Sequence, residues 1–121
     1  MVASKNKVKI HTQENCSGKV RAVKDALDVL NGKWKLPILI SVSSRAKRFK
    51  QISKDIDRIT DKMLSKELKD LEINQLIKRT VYDTFPPTVE YEITEYGRTL
   101  EKVINELADW GMEHRKKIIG K

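Results

Sequence analysis

The chain has 121 residues, with 25 Lys and Arg against 17 Asp and Glu, for a formal net charge of +8. That length suits one compact domain, since domains typically run about 100–150 residues. With 39% hydrophobic and 35% charged residues, a small core under a charged surface is expected, helped by a partner subunit.

Residues 1–19 are polar and basic without a period, and the Ser17-Gly18 pair closes them; they read as a flexible arm. A helical period starts at Val20, where Val23, Ala26, Leu27 and Leu30 recur at three- and four-residue spacing and Asn31-Gly32 gives the stop. The next helix, KWKLPILISVSS, carries Pro37 in its first turn, where a missing N–H has no partner to lose. A basic cluster of Arg45, Lys47 and Arg48 follows it. A third helix is predicted from Phe49 to Asp57, with Phe49, Ile52 and Ile56 inward and Lys50 and Lys54 outward.

Thr60 stands as N-cap of a fourth helix, about 60–73. Leu64, Leu68 and Leu71 form its buried stripe, and Lys62, Lys66 and Lys69 project from the opposite side with no acidic residue on that line. Two short helices joined by Arg58-Ile59 make a helix-turn-helix pair. The alternative is a solubilising helix face. After Gln75 the period changes to two. Ile77, Arg79 and Val81 share one face of the first strand, and Val89, Tyr91 and Ile93 point inward from the second. The DTFPPT segment between them cannot be strand interior, so residues 76–94 read as a hairpin with a proline-stiffened tip holding Thr84 and Phe85.

Thr94 caps a last helix, about 95–118. Leu100, Ile104, Leu107, Gly111, His114 and Ile118 form one stripe, flanked by Val103 and Trp110. About 24 residues span roughly 36 Å, more than a small core covers. Val23, Leu27, Leu100, Val103, Ile104, Leu107 and Trp110 are therefore expected at a homodimer interface, unless the first helix covers the stripe within one chain.

The chemical inventory is thin. One cysteine, Cys16, permits no internal disulfide and no multi-cysteine zinc site, and His11 and His114 lie near opposite ends. No phosphate-cradling glycine loop, HExxH pair or GxSxG elbow occurs. Neither metal, cofactor nor enzymatic activity is expected. No apolar run nears the ~20 residues of a membrane span. The opening MVASKNKVKIHTQENC lacks the apolar stretch of a secretory signal. A membrane protein and a secreted disulfide scaffold are thus excluded, and a cytoplasmic location is expected. The basic balance favours a polyanionic partner.

The expected fold is mainly α with a small β-hairpin wing: a winged helix-turn-helix over 20–118 with terminal dimerisation helices. Lys62, Lys66 and Lys69, with Thr60 and Ser65 on the same helix, would enter a DNA major groove about 12 Å wide. Arg48 and Lys50 would hold adjacent phosphates, and Arg79 and Thr84 of the hairpin would reach the neighbouring backbone or minor groove. The expected function is a homodimeric, sequence-specific regulator on a pseudo-palindromic operator in double-stranded DNA. The alternative is a winged-helix protein-docking module with only non-specific DNA affinity.

The runs GKWKLPIL, RFKQI, TDKMLSKELKDLE, LIKRTVYDTFPPTVEYEIT and EYGRTL, in that order, closely resemble the HxlR-type winged-helix transcriptional regulators. The resemblance covers roughly residues 16–111. It implies a small dimeric DNA-binding regulator, with the helix from Thr60 as recognition helix, the 84–88 loop as wing and the terminal helices as dimer contacts. It also implies a possible small-molecule or oxidant effector, because some members sense oxidants through a cysteine at the Cys16 position. Ser17 follows it here where the family commonly has proline. Lys19 and Arg21 nearby would favour the thiolate. The other reading is a cysteine at the helix start with no sensing role.

Overall fold

The computed structural model describes the backbone of residues 13–120 and the side chains of residues 16–120. Residues 1–12 of the expected arm lie outside it. The chain divides into two units, Met1–Gly32 and Lys33–Lys121.

The first unit contains helix α1, Gln13–Val29. Helix therefore starts seven residues earlier than the period at Val20 implies, and Ser17-Gly18 does not interrupt it. An interior glycine costs only about 1 kcal/mol against alanine, which a 17-residue helix absorbs. The expected stop is real: Gly32 takes a left-handed φ of 80°, and Asn31 Nδ2 donates to the Asp28 carbonyl at 3.1 Å. Val20, Val23 and Leu27 are exposed.

The second unit runs α2 (Lys35–Ser43), α3 (Phe49–Asp55), α4 (Asp61–Ile73), β1 (Ile77–Tyr82), β2 (Thr88–Ile93), α5 (Glu95–Arg98) and α6 (Glu101–Ile119). Helix α2 is apolar on most sides, as a central helix must be, and buries Ile38, Leu39 and Val42. Helix α3 ends at Asp55, two residues before the expected Asp57. Ile56 turns extended there and Arg58 takes φ 69°, which swings Ile56 and Ile59 into the core. Ile52 is buried as expected, while Phe49 is only half-buried. On α4, Leu64, Leu68 and Leu71 are buried, and Thr60 Oγ1 accepts from the Met63 N–H at 3.1 Å.

The strands pair antiparallel from Ile77 opposite Ile93 to Tyr82 opposite Thr88. Arg79 therefore faces Tyr91, and Val81 faces Val89. Only the base of the hairpin joins the core. Ile77 and Ile93 are buried, Val89 and Tyr91 are half-buried, and Arg79 and Val81 are exposed because the ribbon runs out beyond the helices. The sequence reading did not foresee that Lys47 adds a single rung to β2. Its N–H donates to the Tyr91 carbonyl at 2.9 Å and its carbonyl accepts from the Tyr91 N–H at 2.8 Å.

The expected continuous helix over 95–118 is broken at Thr99-Leu100. Thr94 caps as predicted, its Oγ1 accepting from the Gly97 N–H and donating to the Gln75 carbonyl, both at 2.8 Å. Gly97 then sits so close to the hairpin base that a Cβ would lie 2.2 Å from the Leu76 carbonyl oxygen. With α5 held there, the chain turns through tight three-residue rings: the Thr99 N–H donates to Tyr96, and the Leu100 N–H to Gly97, both at 3.0 Å. Helix α6 starts afresh after that turn.

Candidate nucleic-acid interface

Helix α4 turns its leucines into the core, and this rotation leaves Lys62, Ser65, Lys66 and Lys69 exposed on the opposite side. The hairpin lies beside that side. Ser65, Lys69 and Glu72 of α4 and Arg79 and Tyr91 of the hairpin line one cleft floored by Leu68. Two elements separated in sequence thus present Lys69 and Arg79 together.

Arg48 and Lys50 open α3 and are exposed. The Arg48 N–H donates to Gln51 Oε1 at 2.8 Å. Lys50 Nζ lies 3.7 Å from Asp61 Oδ2, the first residue of α4. Thr84 serves the wing tip itself, donating to the Pro86 carbonyl at 2.8 Å with its oxygen 3.0 Å from Thr88 Oγ1. Beside it, Phe85 is wholly exposed. The hairpin is not a purely basic arm: Lys78 and Arg79 share it with Asp83, Glu90 and Glu92, and Lys78 pairs with Glu92 at 3.5 Å.

No acidic residue lies between the three lysines on their line, but Lys66 has an acidic neighbour just beyond it. Asp70 Oδ2 lies 3.3 Å from Lys66 Nζ, four residues away on the same helix, and 3.4 Å from Lys35 Nζ of α2. Lys35 in turn meets Glu67 Oε1 at 2.5 Å. The Lys35 and Glu67 side chains are only 3% and 7% exposed. These charges are therefore structural, not part of a solvated face. Lys47, of the basic cluster after α2, is likewise buried, and Asp55 Oδ2 meets its Nζ at 2.5 Å and accepts from Ser41 Oγ at 2.7 Å.

The electrostatics follow from these contacts. Burial tends to depress the Lys35 ammonium, but hydrogen bonds and charges from Glu67 and Asp70 outweigh it and hold its pKa above the ordinary value. Donation by Lys47 and Ser41 holds the Asp55 carboxyl below the usual range. Burial works to raise Asp70, yet hydrogen bonds from Lys66 and Lys35 bring it down overall. The Lys66–Asp70 spacing was open to sequence reading as an i, i+4 pair. The Lys35–Glu67 contact, 32 residues apart, carried no local signal.

The residues expected at a dimer interface fall into different settings. Leu100 and Ile104 are half-buried in their own unit, where Ile104 lines an apolar cleft with Leu39, Ile40 and Ile93. The helix break at Thr99-Leu100 turns the start of the stripe onto α2 and β2. Val103, Leu107 and Trp110 are exposed on α6, as are Val23 and Leu27 on α1. His114 stacks on Trp110, ring centroids 4.9 Å apart and planes 10° apart. Cys16 is exposed and lies within α1. Among the described residues, no three His, Cys, Asp or Glu side chains converge as a metal site, and no helix is long and apolar enough to cross a membrane.

The model of the HxlR-like helix-turn-helix family matches residues 29–118. The chain belongs to the HxlR-like family. These are DNA-binding transcriptional regulators of winged helix-turn-helix type. The chain is 40% identical over 99 residues to the HTH-type transcriptional regulator YtcD of Bacillus subtilis strain 168, covering 82% of this chain and 79% of that one. It is 43% identical over 96 residues to YdeP of the same organism, covering 79% and 75%. Among solved structures, the redox regulator HypR in its reduced form superimposes with a TM-score of 0.77 at 36% identity, covering 83% of this chain and 99% of that one. The oxidised form of HypR gives 0.72 at 38% identity, covering 76% and 95%. The HxlR-like match takes in α4, the hairpin and most of α6, whereas Cys16 lies before its first residue.

Proposed function

We propose that the chain is a homodimeric regulator that reads a pseudo-palindromic DNA operator, with α4 in the major groove and the hairpin on the neighbouring backbone. The observation that carries this reading is the joint presentation of the α4 surface and Arg79 across one cleft. Lys62, Lys66 and Lys69 supply phosphate attraction, and Ser65 and Thr60 add short polar contacts near the helix start. Arg48 and Lys50 hold the flanking phosphates. Thr84 shapes the tip that brings Phe85 to the duplex.

Dimerisation covers Val103, Leu107 and Trp110 of α6, with Leu100 and Ile104 at the start of the same stripe, and in the first unit it covers Val23 and Leu27 of α1. Two recognition helices then meet half-sites about 34 Å apart, one turn of B-DNA. The activity is binding and requires no catalysis, and it operates where the DNA is, in the cytoplasm. The exposed position of Cys16 and the likeness to a redox regulator support an oxidant as effector.

Selection of bound sequences from random duplexes tests the proposal, performed reduced and then oxidised on wild type and on Lys62→Ala and Lys66→Ala. A two-fold related motif that both variants lose, with folding intact, is expected. Loss of the motif on oxidation in wild type but not in Cys16→Ser assigns sensing to the thiol. A wholly exposed phenylalanine and three carboxylates on the hairpin also suit a protein-docking module. Weak binding without sequence preference would establish that reading instead.

A further inference from the structure

We propose that Asp70 is a built-in brake on DNA affinity: it competes with phosphate for Lys66 and keeps an ion-pair partner in Lys35, shared with Glu67, when Lys66 moves away. This rests on the reading of α4 as the DNA-contacting helix and adds a residue that sets how strongly that helix grips any duplex.

The geometry separates two kinds of charge. Lys35 and Glu67 are buried and in contact, so that pair is fixed by the packing of α2 on α4. Asp70 is 39% exposed and reaches both ways from one oxygen, to Lys35 at 3.4 Å and to Lys66 at 3.3 Å. Lys66 is 65% exposed, so its flexible stem can swing its ammonium from the carboxylate to a phosphate at little entropic cost. Ordinarily that move would strand a carboxylate beside the polyanion. Here the buried ammonium of Lys35 stays within reach of the same oxygen and keeps Asp70 partnered.

The exchange is therefore reversible and local. In the unbound protein, the carboxylate shields one of the three lysines on the contact face. On DNA, phosphate replaces the carboxylate around Lys66, and Asp70 falls back on Lys35. Because phosphates occur in every sequence, the brake lowers affinity for all duplexes alike. The ratio of operator to random affinity is unchanged, but at a concentration that still saturates the operator fewer random sites are occupied. Lys62 and Lys69, which form no ion pair among the described residues, are not restrained in this way.

The test uses the full chain and two duplexes of equal length, one bearing the selected motif and one random. Wild type, Asp70→Asn, Lys66→Ala and the double variant are titrated across a range of salt. The amide introduced by Asp70→Asn would keep the shape and accept from Lys35 while losing the charge. The expected result is tighter binding by Asp70→Asn to both duplexes, about two- to three-fold for each α4 in contact and so about four- to nine-fold for a dimer on two half-sites, the equilibrium weight of one exposed i, i+4 pair per chain. Its salt slope should steepen by up to about 0.9 per chain, and both gains should vanish in the double variant.

Unchanged binding by Asp70→Asn, with Lys66→Ala weakened, overturns the brake while leaving the α4 reading standing. A gain that survives in the double variant also overturns it, since the carboxylate would then act on DNA without Lys66. If Lys66→Ala binds like wild type, the brake falls, and the α4 assignment falls with it only if Lys62→Ala also binds like wild type. Melting curves confirm that each variant is folded, and Asp70→Ser replaces Asp70→Asn if the amide proves destabilising.

Discussion

Buried charge is where single residues matter most in this molecule. Removing the ammonium in Lys35→Met leaves the Glu67 carboxylate buried without its partner at 2.5 Å, which should cost about 3 kcal/mol or more. Pairing it with Glu67→Leu should recover most of that loss, and denaturant titration of the single and double variants measures both. The carboxyls of Asp55 and Asp70 are held below their ordinary pKa. A depressed folded-state pKa gives stability that is present above the unfolded value, about 3.9, and lost as pH falls through the folded one. Acid unfolding below about pH 4 should therefore be shallower in Asp55→Asn than in wild type. The raised Lys35 pKa works at the other end: its stabilisation is complete below about 10.4 and fades only as pH climbs beyond it. Gly97→Ala should destabilise by about 2–3 kcal/mol, because its Cβ meets the Leu76 backbone rather than a side chain that can yield. A thermal melt would register it.

Elements differ in how much of their form is local. Helix α4 was legible because cap, leucine stripe and lysine face all repeat at helical spacing. Helix α1 was legible only in part, since Ser17-Gly18 reads as a turn yet sits inside the helix. Nothing lies within 4 Å of the position a Cβ would take at Gly18. Gly18→Ala should stabilise α1 by about 0.5–1 kcal/mol, seen as increased helical circular dichroism near the melting range. The hairpin was legible from alternation and prolines, but not the depth to which it is buried. Alternation assigns residues to faces, and the length of the supporting helices decides how far along the ribbon a face is covered. Arg79→Ala should weaken operator and random DNA alike and flatten the salt slope by about one. A slope that stays put would take the hairpin off the DNA.

At the scale of the whole molecule, the proposed homodimer would cover exposed apolar residues. Val103, Leu107, Trp110 and Ile118 share one side of α6 and are all exposed, a row too long for scattered surface hydrophobes. Light scattering should find a particle of twice the 14.0 kDa chain, and Leu107→Lys should shift it toward the single chain at micromolar concentration. If DNA is read by two half-sites, the same substitution should also lower operator affinity without touching a DNA-contacting residue. A wild-type monomer would remove the dimer reading, while an intact Leu107→Lys dimer would place the contact elsewhere. Family membership fixes the broad activity, and the charge of +8 suits its polyanionic partner.

The sequence by itself determined the order of elements, the caps at Thr60 and Thr94, the leucine core of α4 with its opposing lysines, and the family. Each of these rests on residues within a few positions of one another, where periodicity and capping chemistry operate. Only the tertiary structure decided that Lys35 and Lys47 are buried with carboxylate partners, because those contacts join residues on different helices. It also decided that Lys47 extends the hairpin by one rung and that α5 and α6 part at Thr99-Leu100. The break illustrates the reason most plainly. Nothing in the local sequence forbids a continuous helix there, but Gly97 is seated against the Leu76 carbonyl, a contact from a distant part of the chain, and the turn follows within three residues of it.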